Sequence, residues 1–218
     1  MMLASKTERK TKVITLYGFT LSNYVSMVKM ALIEKELEFD WVGVKPSQEN
    51  DYLTKSPMGK VPCIETEQGF LSETNIILEY IEETGSGINL MPTNSFERAR
   101  VRELMKEIEL YIELPARTLY AEAFFGGTVS DEVKTTAKKN LQKGIACLKR
   151  NGKFAPYVAG SEFTYADILL QYSLGLASLS AKRVLEMDLL ADLPEAKQLM
   201  ATISQRPSAI QIAAEHKA

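Results

Sequence analysis

Apolar positions recur along this chain with two different periods, and the change from one to the other divides it. Val13 to Tyr17 is a short β-branched and aromatic run closed by Gly18, which predicts a buried strand, and Phe39 to Val44 is a second such run. Between them Val25, Val28, Ala31 and Leu32 fall at helical spacing, which predicts a helix over about Asn23 to Glu36. Strand, helix and strand within about 30 residues make a βαβ unit. Pro46 to Lys60 is polar and broken by Pro46 and Pro57, after which Val61 to Glu65 returns to strand character. Glu67, Gln68 and Gly69 supply a turn, Phe70 and Leu71 a further short strand, and a helix follows from Ser72 or Glu73 to Glu83.

After Gly85, Gly87 and Pro92 the β-branched runs vanish and helical periodicity holds to the end, which sets a domain boundary near residues 85 to 95. Two domains are expected, 12–85 and 96–218. Val101, Leu104, Met105, Ile108 and Ile112 mark one face of a long helix that Pro115 should kink or end. Another helix starts at Ser130 as N-cap, with Asp131 and Glu132 in its first turn, and stops at Asn151 and Gly152. Thr164, followed three residues later by Asp167 and then by Ile168, Leu169 and Leu170, has the form of a capping box ahead of a buried helix. Pro194 and Pro207 open two more short helices. The fold class is therefore α+β followed by all-α.

Composition narrows the function classes. The chain has 218 residues, long enough for one large domain or two small ones, and at 45% hydrophobic it is not disordered. With 26 basic and 28 acidic side chains the net charge is −2, which gives no field to draw in nucleic acid. The polar stretch Met1 to Thr11 carries Lys6, Arg9 and Lys10 but no apolar segment of the kind a signal peptide needs, so it reads as a flexible lead-in. No apolar run approaches 18 residues, and a cytoplasmic protein with reduced thiols and no membrane partner is expected. Cys63 and Cys147 lack metal-ligand spacing, and Cys63, just after Pro62 on a predicted buried strand, reads as an inert apolar residue. The single histidine, His216, falls in an end expected to fray, so a histidine triad and a histidine-bound metal are both set aside and no metal is expected.

Four stretches stand out, and three of them hold candidate chemistry, each with a plainer alternative. Ser22 stands at the start of the first predicted helix, where a hydroxyl either caps the helix or donates to an anion beside the positive end of its dipole. Ser56 to Ile64 contains Gly59-Lys60-Val61-Pro62, in which Lys60 alone would pass for a solvated surface lysine. Leu71 to Ile76 contains Glu73 and Thr74, which alone would pass for helix caps. Phe163 to Ile168 is the capping-box segment and carries no chemistry.

In this order, from Lys12 onward, these stretches resemble the glutathione transferases. Ser22 lies seven residues before Lys29 and nine before Ala31-Leu32, a spacing similar to that of the family's serine-type, bacterial-like classes. The resemblance implies a thioredoxin-like N-terminal domain that binds glutathione as co-substrate, an all-helical second domain, and a cytoplasmic homodimer engaged in detoxification. It also implies residue roles. Ser22 would hold the glutathione thiolate. Val61, before a cis peptide to Pro62, would offer its N–H and C=O to the cysteinyl part like an added strand. Lys60 would face the glycine carboxylate, Glu73 the γ-glutamyl ammonium, and the Thr74 hydroxyl with the amides behind it the α-carboxylate. A small hydrophobic electrophile or a peroxide would meet the thiolate against the second domain, with Tyr111, Tyr120, Phe124 and Phe125 as aromatic candidates for that wall and Tyr24 no better placed.

The resemblance leaves competitors. Tyr17 ends the first strand, where other classes of the family use a tyrosine, and is read as core. A maleylacetoacetate isomerase would carry a Ser-Ser-Cys-type loop that Leu21-Ser22-Asn23 lacks, and the omega-like and beta-like classes place a cysteine near position 22. A non-catalytic relative of the stringent-starvation-regulator type, or a ligand carrier, would keep the fold without needing the whole set of Ser22, Lys60, Val61, Glu73 and Thr74.

Overall fold

The computed structural model describes residues 14–84 and 87–217. The expected domain limits at Lys12, Gly85 and Ala218, and Val13 of the first predicted strand, lie outside the described residues. Strand β1 (Ile14–Gly18), helix α1 (Asn23–Glu34) and strand β2 (Phe39–Gly43) form the expected βαβ unit, followed by a one-turn helix α2 (Asn50–Leu53), strands β3 (Cys63–Thr66) and β4 (Gly69–Ser72), and helix α3 (Thr74–Thr84). The short α2 buries only Tyr52, too little apolar periodicity to show in the sequence. Strand β3 begins two residues later than expected, because Pro62, which follows a cis peptide, has no N–H for a ladder.

Strand order is β2-β1-β3-β4, with β1 and β2 parallel and the other pairs antiparallel. The register pairs Tyr17 with Cys63 and Cys63 with Ser72. That register brings three connections to one edge of the sheet: the turn after β1 that leads to Ser22, the Val61-Pro62 entry to β3, and the exit of β4 into Glu73 and Thr74. Gly18 is required at this edge, since a Cβ there would lie 2.5 Å from the Val25 side chain on α1.

Helix α4 (Ser95–Ile108) begins the helical half, capped by Asn94, whose side chain accepts from the Phe96 and Glu97 amides. Pro115 does not end it. One π-helical turn, Glu109–Glu113, widens the helix, and the Leu114 N–H reaches the Glu109 carbonyl five residues back. The turn accommodates the missing Pro115 N–H at the start of the short helix α5 (Leu114–Arg117). Then come α6 (Tyr120–Phe124), α7 (Asp131–Asn151), α8 (Tyr165–Leu185), α9 (Pro194–Ile203) and α10 (Pro207–Glu215). Helix α7 has Ser130 as its N-cap, and α8 has the expected capping box from Thr164 and Asp167.

Helix α1 is buried nearly all round, by the sheet, α3, α8 and α10, so one continuous apolar core runs from Leu16 and Val28 to Leu174 and Ile212. A buried ion pair of the first half is also bonded from the second. Glu82 on α3 accepts from Lys35 Nζ at 3.0 Å, Tyr165 Oη at 3.0 Å, and the Leu90 and Met91 amides at 3.3 and 3.2 Å. No helix among the described residues is long and apolar enough to cross a membrane.

Candidate active site

The sheet edge and the helical half enclose a cleft of about 1350 Å³, lined by Ser22, Lys60, Val61, Pro62, Glu73 and Thr74 together. All six residues singled out in the sequence thus share one cavity. Its volume exceeds the ~300–1,000 Å³ typical of a single small-ligand site and leaves room for two reactants side by side.

Ser22 is the N-cap of α1. Its Oγ accepts from the Val25 amide at 3.4 Å, a long and weak cap, and among the described residues its O–H donates to nothing. No acidic residue stands in the first turn of α1, so the positive end of the helix is not neutralised. The hydroxyl both caps the helix and remains free to serve an anion in the cleft, so the two readings of this residue are compatible.

The Lys60-Val61-Pro62 segment is braced from behind. Ser56, itself buried, donates to the Lys60 carbonyl at 2.8 Å and accepts from the Lys60 amide at 3.1 Å, and the Tyr52 phenol donates to the same carbonyl at 3.1 Å. The Lys60 ammonium is exposed at the cleft and makes no ion pair among the described residues. Val61 N–H and C=O pair with no other backbone group among the described residues, which leaves a strand edge one residue long for an extended ligand.

Glu73 lies in the left-handed region at φ +71, a conformation that costs a non-glycine residue about 1 kcal/mol or more. Its carbonyl accepts from Ile77, which starts α3, and its side chain reaches into the cleft without a partner among the described residues. Thr74 is 8% exposed, and its hydroxyl likewise bonds nothing there. A free carboxylate, a free hydroxyl and the first amides of an 11-residue helix therefore meet at one corner.

Tyr17 is neither core nor cleft. It is half-buried, donates to Glu65 at 2.5 Å, and packs edge-on against Phe70 under the Lys55 ammonium. That bond to Glu65, with burial behind it, pushes the phenol up to about 12. Cys63 donates to the Lys55 carbonyl at 3.2 Å, and burial pushes its thiol up to about 11, as suits an inert apolar residue.

The far wall is aromatic and cationic. Tyr120, Phe124 and Phe125 line it as the sequence suggested, while Tyr111 faces a separate groove with Leu110, Pro115 and Gly144. Tyr24, given no preference from the sequence, lines the cleft with its ring 4.5 Å below the Arg117 guanidinium. Three further residues escaped the sequence reading. Asn23 accepts from Arg117 Nη2 at 2.9 Å and donates to Glu113 Oε1 at 3.0 Å, and Arg117 Nε lies 2.8 Å from the same oxygen. Burial raises the Glu113 carboxyl above its ordinary range, with the Arg117 charge opposing. The Glu113 and Arg117 pair is legible at i, i+4. Nothing in the sequence places Asn23 on top of it. His216 is the other surprise: rather than fraying, it caps α10 and lines the cleft beside Phe19, Leu21 and Ser22.

The family model for the glutathione S-transferase N-terminal domain matches residues 16–87, and that for the C-terminal domain matches residues 117–213. A glutathione S-transferase of Pseudomonas putida is 53% identical over 94% of this chain and 93% of its own length. A maleylacetoacetate isomerase of Dictyostelium discoideum is 28% identical over 75% of this chain and 78% of its own length. Among solved structures, a glutathione transferase of Populus trichocarpa superposes with a TM-score of 0.80 over 94% of this chain and 99% of that one, at 23% identity, a likeness of fold. The chain belongs to the glutathione S-transferase family. Both halves of the fold are matched, and it is a glutathione transferase enzyme.

Proposed function

We propose that this enzyme binds reduced glutathione along the sheet edge, holds its sulfur as a thiolate with the Ser22 hydroxyl, and delivers it to a small hydrophobic electrophile or a peroxide against the helical wall. The observation that carries this reading is the Ser22 hydroxyl, with a free O–H, a weak cap bond and an uncompensated helix N-terminus behind it. Lowering a thiol from about 8.5 by about two units takes roughly 2.7 kcal/mol of preference for the anion. A charge-assisted hydrogen bond contributes about 1.5–3 kcal/mol. The helix end adds about 0.3–1 kcal/mol. Together they supply about 1.8–4 kcal/mol, a range that brackets the requirement without a general base.

In this reading Val61 pairs with the cysteinyl peptide, Pro62 shapes that edge, and Lys60 answers the glycine carboxylate. Glu73 takes the γ-glutamyl ammonium, while Thr74 and the amides behind it take the α-carboxylate. Tyr24, Tyr120, Phe124 and Phe125 supply the apolar surface for the second reactant. In an addition, the thiolate sulfur forms a bond to the electrophilic carbon while the adjacent atom takes the π electron pair and then a proton; in a substitution, the displaced group leaves with the pair of the bond that breaks. The proposed setting is cytoplasmic, with two copies paired through exposed apolar side chains on or beside α3, α4 and the π turn: Ile76, Phe96, Leu110, Tyr111 and Leu114.

Isothermal titration with reduced glutathione tests the binding half of this proposal. Saturable heat is expected from the wild type and from Ser22→Ala, because most contacts lie away from the sulfur, whereas Glu73→Gln should weaken binding about tenfold or more. Absence of saturation at millimolar glutathione in the wild type would sink the reading.

A further inference from the structure

Helix α10 lies along α1 and is fastened to it at three levels. Arg206 and Ser208 both bond Glu34, with Arg206 Nη2 2.6 Å from Glu34 Oε2. Glu215 accepts from Lys29 Nζ at 2.5 Å, and that ammonium also lies 4.0 Å above the Trp41 ring. At the level of Ser22, His216 Nε2 lies 3.2 Å from Ser26 Oγ, and the ring also meets the backbone of Thr20. Ser26 is 1% exposed, and it returns the contact to the site: its Oγ donates to the Ser22 carbonyl at 3.1 Å and its N–H to the same oxygen at 2.9 Å.

The imidazole therefore touches both sides of Ser22. Thr20 precedes it in the turn after β1, and Ser26 follows it one helical turn on and grips its carbonyl. A serine rotor in a half-open cleft gains its direction from the backbone that carries it. We infer that His216 is a positioning residue for Ser22, orienting its hydroxyl toward the cleft through Ser26 and the Thr20 backbone, so that the end of α10 completes a site otherwise built on the sheet. The inference rests on the proposed role of Ser22.

The charge environment suits a neutral ring in this place. Partial burial holds the imidazole below the usual histidine range, the Lys29 ammonium adds to that, and Glu215 and the Thr20 backbone oppose. A neutral imidazole with its proton on Nε2 donates to Ser26 Oγ, whose own proton goes to the Ser22 carbonyl.

The test compares His216→Ala, His216→Asn, Ser26→Ala and Ser22→Ala in the full chain. Thiolate absorbance of bound glutathione is followed against pH, and kcat is separated from KM. His216→Ala should raise the midpoint of the bound thiol by about one pH unit and lower kcat about tenfold at pH 6.5. Little loss should remain near pH 9, and KM for glutathione should stay within about twofold. His216→Asn, which keeps a donor and an acceptor, should recover most of the shift. Ser26→Ala should reproduce it, and the double variant should be no worse than either single one. Ser26→Ala carries the test alone if His216→Ala does not fold.

A midpoint unmoved in His216→Ala but raised in Ser22→Ala overturns the positioning role and leaves Ser22 standing. A midpoint unmoved in both overturns the Ser22 reading as well. Loss of one limb of the pH–rate profile at an unchanged midpoint shows instead that His216 moves a proton itself, which also overturns the inference.

Discussion

Asn23 shows how one side chain can tie the turn that carries Ser22 to the opposite half of a molecule. Its amide carbonyl accepts from Arg117 and its NH₂ donates to Glu113, so the first residue of α1 is held by the last residue of the π turn and by α5. Asn23→Ala removes one donor from a buried carboxylate, and an expected loss of about 1–3 kcal/mol in urea unfolding should accompany it. Glu73 offers a different test. Its positive φ is a cost that glycine would not carry, so Glu73→Gly should hold or raise stability by up to about 1 kcal/mol. The same change should weaken glutathione binding about tenfold, since it deletes the proposed ammonium acceptor. Stability and affinity moving in opposite directions would mark a strained residue kept for binding, and a parallel fall in both would contradict it.

At the scale of elements, the capping box of α8 carries the clearest pH consequence. Asp167 accepts from the Val158 and Thr164 amides, both at 2.8 Å, yet burial pushes its carboxyl up to about 6. The unfolded chain would hold this group near 3.9, so between about pH 4 and 6 the folded state binds a proton that the unfolded state does not. The contribution of Asp167 to stability therefore rises as pH falls through that window. Unfolding free energies of the wild type and Asp167→Asn, subtracted at each pH, should show that rise, and a flat difference would refute it. Asp167→Ala should cost about 2–4 kcal/mol at pH 7 by stranding buried amides.

The elements that could be read from the sequence are those whose cause is local. Ser130 and Thr164 announce α7 and α8 because a cap acts within one turn, and the β1-α1-β2 pattern shows because its periods are long enough to count. The π turn was not legible, since Pro115 states that a helix must change but not whether it breaks or widens. Likewise the six cleft residues could be matched by their motifs, whereas Asn23, Glu113 and His216 become neighbours only through packing across 90 or more residues of chain.

For the whole molecule, the Glu82 cluster and the shared core around α1 make the two halves one cooperative unit. Glu82→Ala leaves Lys35 as a buried ammonium facing the Ile88 carbonyl, and a loss of about 3–5 kcal/mol is expected, still in a single transition. Two separate transitions would mean that the halves are stable independently. The proposed pairing of two copies belongs to this scale as well: light scattering should report twice the chain mass of 24.4 kDa, and charged replacements at Phe96 and Tyr111 should reduce it.

The proposed enzyme makes a thiolate with one hydroxyl at a helix end, and the absorbance of bound glutathione thiolate against pH reports it. The wild type should titrate about two units below the free value of about 8.5, and Ser22→Ala should return most of the way to it. The same midpoint in both proteins would contradict the account and leave the thiolate to some other group in the cleft.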